Sequence, residues 1–309
     1  MSILSNFALS AGTLIACLTA LWAISYKIKD ASIIDIFWGA GFGIVAIVCL
    51  VNFYTNSQIG LPPYWWAKYI WLLAAMPIIW AVRLSGYLAK RNLGHGEDKR
   101  YVAMQERAAK QGVSEDKWRK RSYLNIFLGQ GLLIMIVSAP IWIAMATGQP
   151  HYVMTNPECI DGGCLDGGKY EMTYIGPLAL IGAALWLIGF LFETIGDMQL
   201  AKFMRENKNY SGPQEDKPVL NTGLWKYTRH PNYFGNACMW WGIWIVACAA
   251  PWGWVTIFAP IVMTILLTRV SGRDLLERNM KKRKAYRDYI ENTSGFFPLP
   301  PKTKAAKAL

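Results

Sequence analysis

Thr222-Gly-Leu-Trp-Lys-Tyr-Thr-Arg-His-Pro-Asn-Tyr-Phe-Gly235 gathers Tyr227, Arg229, His230, Asn232 and Tyr233 into seven residues and runs straight into an apolar segment that reaches about Ala250. A cationic, hydrogen-bonding cluster at the mouth of an apolar helix decides how the rest of the chain is read. Arg offers a planar fork for phosphate, and Asn and Tyr offer donors and acceptors for ribose or amide groups. Pro231 presets the backbone at the helix entrance. The plain alternative is a basic flank that only anchors the helix to lipid headgroups. The mixture of charge with neutral hydrogen-bonding groups suits a phosphorylated cofactor that serves a lipid-dissolved substrate.

Outward from this stretch, apolar residues dominate: 53% of the chain is hydrophobic, 15 residues are Trp, and the mean hydropathy is positive. Seven apolar runs, 7–27, 33–53, 65–89, 123–147, 174–197, 233–250 and 253–271, are long enough to cross a bilayer. The expected fold is an all-α integral membrane protein, a seven-transmembrane-helix bundle whose cytoplasmic loops cap a cofactor site. It forms one domain over 1–301, followed by a mobile basic tail over 302–309. The first run lacks a basic flank in front of it and further spans follow, so it is not read as a cleavable signal.

The net charge of +12 is concentrated in 90–121, in 202–229 and in the tail from Arg273, whereas 54–64 carries no charge and 148–173 mostly Asp and Glu. Basic loops stay cytoplasmic. The alternation therefore places the N-terminus outside and the C-terminus inside a bacterial inner membrane, in agreement with an odd number of spans. An excess that follows the loops is no stripe for nucleic acid, and no protein partner is expected. Cys159 and Cys164 lie in the acidic outer loop, where a disulfide is plausible. The three histidines, His95, His151 and His230, are scattered and suggest no metal site.

The chemically rich segments, Gly96–Tyr101, Glu193–Asp197, Lys217–Asn236 and Arg273–Tyr289, all fall on the basic side. Glu193 and Asp197 are four residues apart and share a helix face, at a depth where carboxylates are costly without a partner. They read either as ion-pair partners of the basic loops or as contacts for a cofactor's ribose or carboxamide. Asp35 opens the second run, with Trp38 a turn later. Residues Asp98 to Tyr101 read on their own as a solvated charge cluster. Tyr87 reads as an interfacial anchor or as a hydrogen-bond donor to a ketone oxygen. Gly39-Ala-Gly41-Phe-Gly43 lies inside an apolar run with no strand before it, so it reads as close helix packing rather than a dinucleotide loop. Ser114–Arg121 reads as a short amphipathic surface helix with Ser114 as its cap.

Arg229-His-Pro-Asn-Tyr-Phe-Gly235, Asp35-Ile-Phe-Trp-Gly39, Gly96-Glu-Asp-Lys-Arg-Tyr101 and Tyr286-Arg-Asp-Tyr289 with Phe297-Pro298 resemble, in order and spacing, the steroid 5-alpha-reductase family and its bacterial branch. The resemblance extends from about residue 30 to 302, with more distant similarity to sterol reductases and isoprenylcysteine carboxyl methyltransferases. It implies NADPH-dependent reduction of the carbon–carbon double bond of a 3-oxo-4-ene steroid or similar lipid enone. Tyr87 and Asp35 would polarise the carbonyl, and Trp38 would face the substrate. Cofactor contacts would fall on Asp98, Arg100, Tyr101, Glu193, Asp197, Lys217, Tyr227, Arg229, His230, Asn232, Tyr233, Asn236, Arg283 and Tyr286. Most relatives carry Phe-Gly-Glu where this chain has Phe234-Gly235-Asn236, so no negative charge is expected at that position. The alternative is a membrane methyltransferase using S-adenosylmethionine. A transporter fits poorly, since no internal repeat is seen and the polar groups avoid the bilayer midplane.

Overall fold

The computed structural model describes residues 2–56, 68–147, 176–270 and 272–302, together with the short strands within 152–170. Residues 303–309 of the expected tail and the side chains of Cys159 and Cys164 lie outside the described residues. The chain divides into two compact units, Met1–Leu180 with Ile245–Thr256 and Ile181–Trp244 with Ile257–Leu309.

In the first unit, α1 (Ile3–Ile28) opens on a capping box in which Ser2 and Ser5 exchange side-chain and backbone bonds, and it ends where Lys29 turns left-handed at φ 58°. Helices α2 (Ile33–Asn56) and α3 (Lys68–Asn92) approach through small residues. A Cβ on Gly43 would lie 2.9 Å from Ala81 Cβ, and one on Gly39 would lie 3.1 Å from Ser85 Oγ. The Gly39–Gly43 run is thus a packing surface. Helices α4 (Lys99–Lys110) and α5 (Glu115–Ser122) follow, and Ser114 caps α5 by accepting from Lys117 N at 3.4 Å. A π-helical segment, Tyr123–Leu128, leads into α6 (Gly129–Val137). The chain then bends by 47° into α7 (Ala139–Thr147). Pro140 accounts for the bend, since its ring cannot continue the hydrogen-bond ladder. Amides inside the apolar core are paired: Asn52 donates to Asn6 Oδ1 at 2.6 Å, and Asn6 donates to Trp142 O at 3.0 Å. Strand β1 (Tyr152–Val153) pairs with β4 (Lys169–Tyr170), and β2 (Pro157–Ile160) with β3 (Gly163–Asp166), setting Cys159 opposite Cys164.

The second unit is organised by α8 (Pro177–Glu206, from Ile181 on) and α9 (Pro231–Ala247, up to Trp244), which run antiparallel. Their contact is nearly backbone to backbone. A Cβ on Gly242 would stand 2.6 Å from Gly182 O, one on Gly189 would stand 2.8 Å from Met239 N, and one on Gly196 would stand 3.1 Å from Pro231. Glycines recur every seven residues on both helices, at 182, 189 and 196 and at 235 and 242. That period keeps them on one seam, and small residues there let helices approach closely. The unit continues through α10 (Phe258–Ile265), a π-helical Leu266–Val270, α11 (Arg273–Met280) and α12 (Lys284–Asn292). Beyond α12, Ser294 forms a parallel bridge with Thr228.

Among the described residues, five helices are long and apolar enough to cross a membrane: Ile3–Ile28, Ile33–Asn56, Tyr69–Asn92, Pro177–Glu206 and Gly253–Val270. The bent stretch from Glu115 to Thr147 makes a sixth if it counts as one span. The expected count of seven is not reached because α9, with 17 residues, is at the short limit for a bilayer. Outer faces of these helices are apolar. Leu4, Ile15 and Ile24 of α1 are exposed, as are Leu187, Ile188, Leu191 and Met198 of α8. Lipid tails are as apolar as Leu, so such a surface is at rest in a bilayer and costly in water. The chain is a membrane protein.

Candidate functional site

The loop before α9 is fixed at many points within the second unit. Gly223 sits at φ 60°, starting a 3-10 turn in which Leu224 N donates to Gln199 Oε1 at 3.0 Å. Trp225 Nε1 donates to Gly196 O at 3.1 Å, and the Tyr289 hydroxyl donates to Trp225 O. Thr228 Oγ1 donates to Phe296 O at 2.8 Å, Arg229 N to Ser294 O at 2.9 Å and Leu299 N to Tyr227 O at 3.0 Å. The Tyr-Thr-Arg stretch is therefore clamped by the segment after α12, and only then does α9 begin.

Arg229 is the centre of this clamp. Its Nε and Nη2 donate to the two oxygens of Glu277 at 2.8 and 3.2 Å, while Nη1 donates to Thr293 O at 2.6 Å and Ile290 O at 3.3 Å. A fork-on-fork pair of this kind is geometrically specific. His230 Nε2 lies 3.0 Å from Glu277 Oε1 and its ring stacks on Tyr233, with centroids 5.2 Å apart and planes 3° from parallel. Burial pushes the Glu277 carboxyl up, but hydrogen bonds from His230 and Arg229 and the Arg229 charge outweigh it and hold the group at about 2. Burial lowers His230 more than Glu277 raises it. A neutral His230 donating from Nε2 to an ionised Glu277 satisfies both. In this arrangement the Arg229 guanidinium is engaged by protein acceptors on both edges, and its work is to position the loop.

In the first turn of α9 begins a polar ladder across the glycine seam. Asn232 Nδ2 donates to Asp197 Oδ1 at 3.0 Å, and Asn236 Nδ2 donates to Glu193 Oε2 at 3.1 Å. Asn232 Oδ1 also accepts from Tyr233 N at 3.1 Å. Glu193, Asp197 and Asn236 are each at least nine-tenths buried. Asn236 Oδ1 has no hydrogen-bond partner among the described residues. A buried acceptor left unpaired costs roughly 1–3 kcal/mol, so this oxygen has hydrogen-bonding capacity to spare. Of the remaining candidates in this unit, Tyr286 is buried, Lys217 and Arg283 are half-buried and Tyr227 is exposed.

The first unit holds Asp35, Trp38, Tyr87, Asp98, Arg100 and Tyr101. Asp35, in the first turn of α2, accepts from Arg100 Nη2 at 2.6 Å and from the Tyr101 hydroxyl at 2.8 Å. Gln130 Nε2 donates to that hydroxyl in turn at 3.3 Å. Asp98 caps α4 and accepts from Arg100 N at 2.8 Å and Arg100 Nε at 3.0 Å. Burial pushes the Asp98 carboxyl up, and the bonds from Arg100 more than reverse this. The residues that read as a solvated cluster thus form one ordered network with Asp35. Trp38 packs edge-on against Phe42, with centroids 5.4 Å apart. Tyr87 lies between two guanidinium groups on its own helix, Arg83 at 5.5 Å and Arg91 at 5.7 Å from the ring centre.

Three contributors were not singled out from the sequence. Glu277 closes Arg229 and His230, yet it sits in the charge-rich Arg273-Asp-Leu-Leu-Glu277 stretch, 48 positions from Arg229, where no local pattern marks it. Gln130 looks like an isolated polar residue in an apolar run. The seven-residue glycine spacing was a visible signal for the α8–α9 seam.

No solved structure matches the chain. The "Uncharacterized protein C594.04c" of Schizosaccharomyces pombe is 22% identical over 297 residues, covering 90% of this chain and 75% of the relative. The model of the family described as "Protein of unknown function (DUF1295)" matches residues 21–162 and 164–293. The matched stretches take in the Asp35 network, the α8–α9 ladder and the Arg229–Glu277 clamp alike, and the chain belongs to the DUF1295 family.

Proposed function

We propose that the protein is a membrane reductase that holds NADPH at the buried ladder of its second unit and saturates the carbon–carbon double bond of a lipid enone, with a 3-oxo-4-ene steroid as the model substrate. The observation that carries the proposal is Asn236: its nitrogen is spent on Glu193, and its buried oxygen has no partner among the described residues. An N–H of a cofactor carboxamide or a ribose hydroxyl is a donor of the right kind for that oxygen. Asp197 and Asn232 continue the hydrogen-bonding row one turn away, and the stacked His230–Tyr233 pair offers a flat aromatic face. Lys217 and Arg283 are assigned to the phosphates, since Arg229 is engaged by Glu277 and acts by positioning the loop. When bound, NADPH supplies a hydride for the β-carbon of the enone, and with a proton at the α-carbon the products are the saturated ketone and NADP⁺.

Within the first unit, the proposal gives ketone polarisation to Tyr87 and Asp35, the latter held in place by Arg100 and Tyr101. Seven spans, an outside N-terminus and a cytoplasmic C-terminus in a bacterial inner membrane complete the reading, which the family resemblance supports. For S-adenosylmethionine, the basic cluster would have to take the methionine carboxylate, and its central Arg229 is already paired with a carboxylate. The test is label transfer. Detergent-purified protein is given 4-deuterated NADPH and a panel of lipid enones, each deuterium label being offered on the transferable face. One deuterium on the β-carbon of a saturated product is expected. Methyl transfer from S-adenosylmethionine to a lipid acceptor, with NADPH unconsumed, would overturn the proposal.

A further inference from the structure

We infer that the groove between α4 and α5 binds the headgroup phosphate and upper acyl segment of an anionic phospholipid. Gly112, at φ 78°, turns the chain between the two helices and leaves a cavity of about 280 Å³ at their junction with the π-helical segment. Its lining is two-sided in chemistry. Ala108, Val113, Trp118 and Ile126 are its half-buried and buried apolar lining and serve as the floor, while Arg107 and Arg121, which also line it, are exposed and are taken as its rim. Among the described residues neither rim arginine has an ion-pair or hydrogen-bond partner, whereas Arg119 on the same helix is tied to Glu115 at 3.1 Å and to Glu97 at 3.6 Å.

Two unspent guanidinium groups on one opening call for a doubly hydrogen-bonding anion, and phosphate is the oxyanion their fork fits. A simple anion would leave the apolar floor unused. A lipid uses both, because its phosphate meets the rim and its chain covers the floor. The surroundings point the same way: the chain runs on from this groove into an apolar bent span, where Leu124 and Leu132 are 64% and 62% exposed. A headgroup carrying its own cation would set that charge against the two arginines, so the anionic headgroup is preferred.

The inference is independent of the reductase reading, and its experiment uses no cofactor. The full-length protein in detergent is titrated with phosphatidylglycerol, with phosphatidylcholine of the same chains and with inorganic phosphate at matched ionic strength, reading thermal stability. Phosphatidylglycerol is expected to raise Tm by about 5 °C at saturation and the other two by little. The difference should vanish in Arg107→Gln/Arg121→Gln, shrink in either single variant and be lost in Ala108→Glu, which blocks the floor. Lys110→Gln, which removes an exposed charge on α4 that does not line the groove, should retain it. Equal shifts by the two lipids, a preference that survives the double substitution, or a shift reproduced by inorganic phosphate would each overturn the inference.

Discussion

The planar fork of Arg229 was expected to meet a cofactor's phosphate; in the structure it meets Glu277 of the same unit. Both side chains are largely buried, 11% and 4% exposed. Removing one partner therefore leaves an uncompensated charge, and Arg229→Ala should cost about 3–5 kcal/mol. Arg229→Lys should fall between the two, since an ammonium keeps the charge and loses the fork. Thermal melts in detergent test this, and the double variant with Glu277→Ala should lose less than the sum of the singles. The pH dependence follows from the same trio. His230 is lowered below its ordinary 6.5, so the unfolded chain binds the extra proton first as the medium is acidified. Its contribution is complete above 6.5 and drains as the pH falls below it. That of Glu277, held at about 2 against an ordinary 4.5, is complete above 4.5 and drains toward 2. Melting temperature should therefore fall steadily from pH 7 to pH 4, and His230→Gln should flatten the upper part of that slope. A profile that rises on acidification would contradict both assignments.

The helices themselves were legible because apolar length is a local property, and every run of the expected set contains a helix. What stayed hidden was how two of them touch. Close contact of α8 and α9 needs glycine at 189, 196, 235 and 242, and only the resulting approach lets Asn232 and Asn236 reach Asp197 and Glu193. In sequence, the two carboxylates and the two amides lie some 35 to 43 positions apart, so their pairing belongs to the fold and not to any motif. Two Gly→Ala substitutions separate packing from propensity. At Gly86 of α3 a Cβ meets nothing within 4 Å, so alanine should be neutral or stabilise by up to about 1 kcal/mol. At Gly189 it would press on the α9 backbone, so alanine should lower the melting temperature and loosen the ladder. Similar melts for both variants would mean the seam is not as tight as its geometry. The four short strands were not expected, because segments of two to four residues carry too little alternation to be read.

At the scale of the molecule, the number of crossings decides where the termini lie. Five long helices and the bent pair give six, which would put both ends on one side; counting α9 gives seven and opposite ends. At about 1.5 Å per residue the 17 residues of α9 reach roughly 25 Å, a few ångströms short of a typical hydrocarbon core. Trp252 and Trp254 are exposed in the turn that follows, where indoles belong at a membrane interface. Basic loops are retained in the cytoplasm, so the expectation from the sequence is an outside N-terminus and a cytoplasmic C-terminus. Reporter fusions at each end check it, and two termini on the same side would remove α9 from the spans. Four short motifs carried the resemblance to reductases as an expectation, while the feature on which the proposal rests, the unpaired Asn236 oxygen, appears only once Glu193 is seen to take the nitrogen. The most direct measurement is equilibrium binding of NADPH and of S-adenosylmethionine to the purified protein, with Asn236→Leu beside it. The reductase reading requires saturable binding of NADPH alone, weakened about tenfold or more by the substitution. Binding of S-adenosylmethionine instead, or of neither, would contradict it.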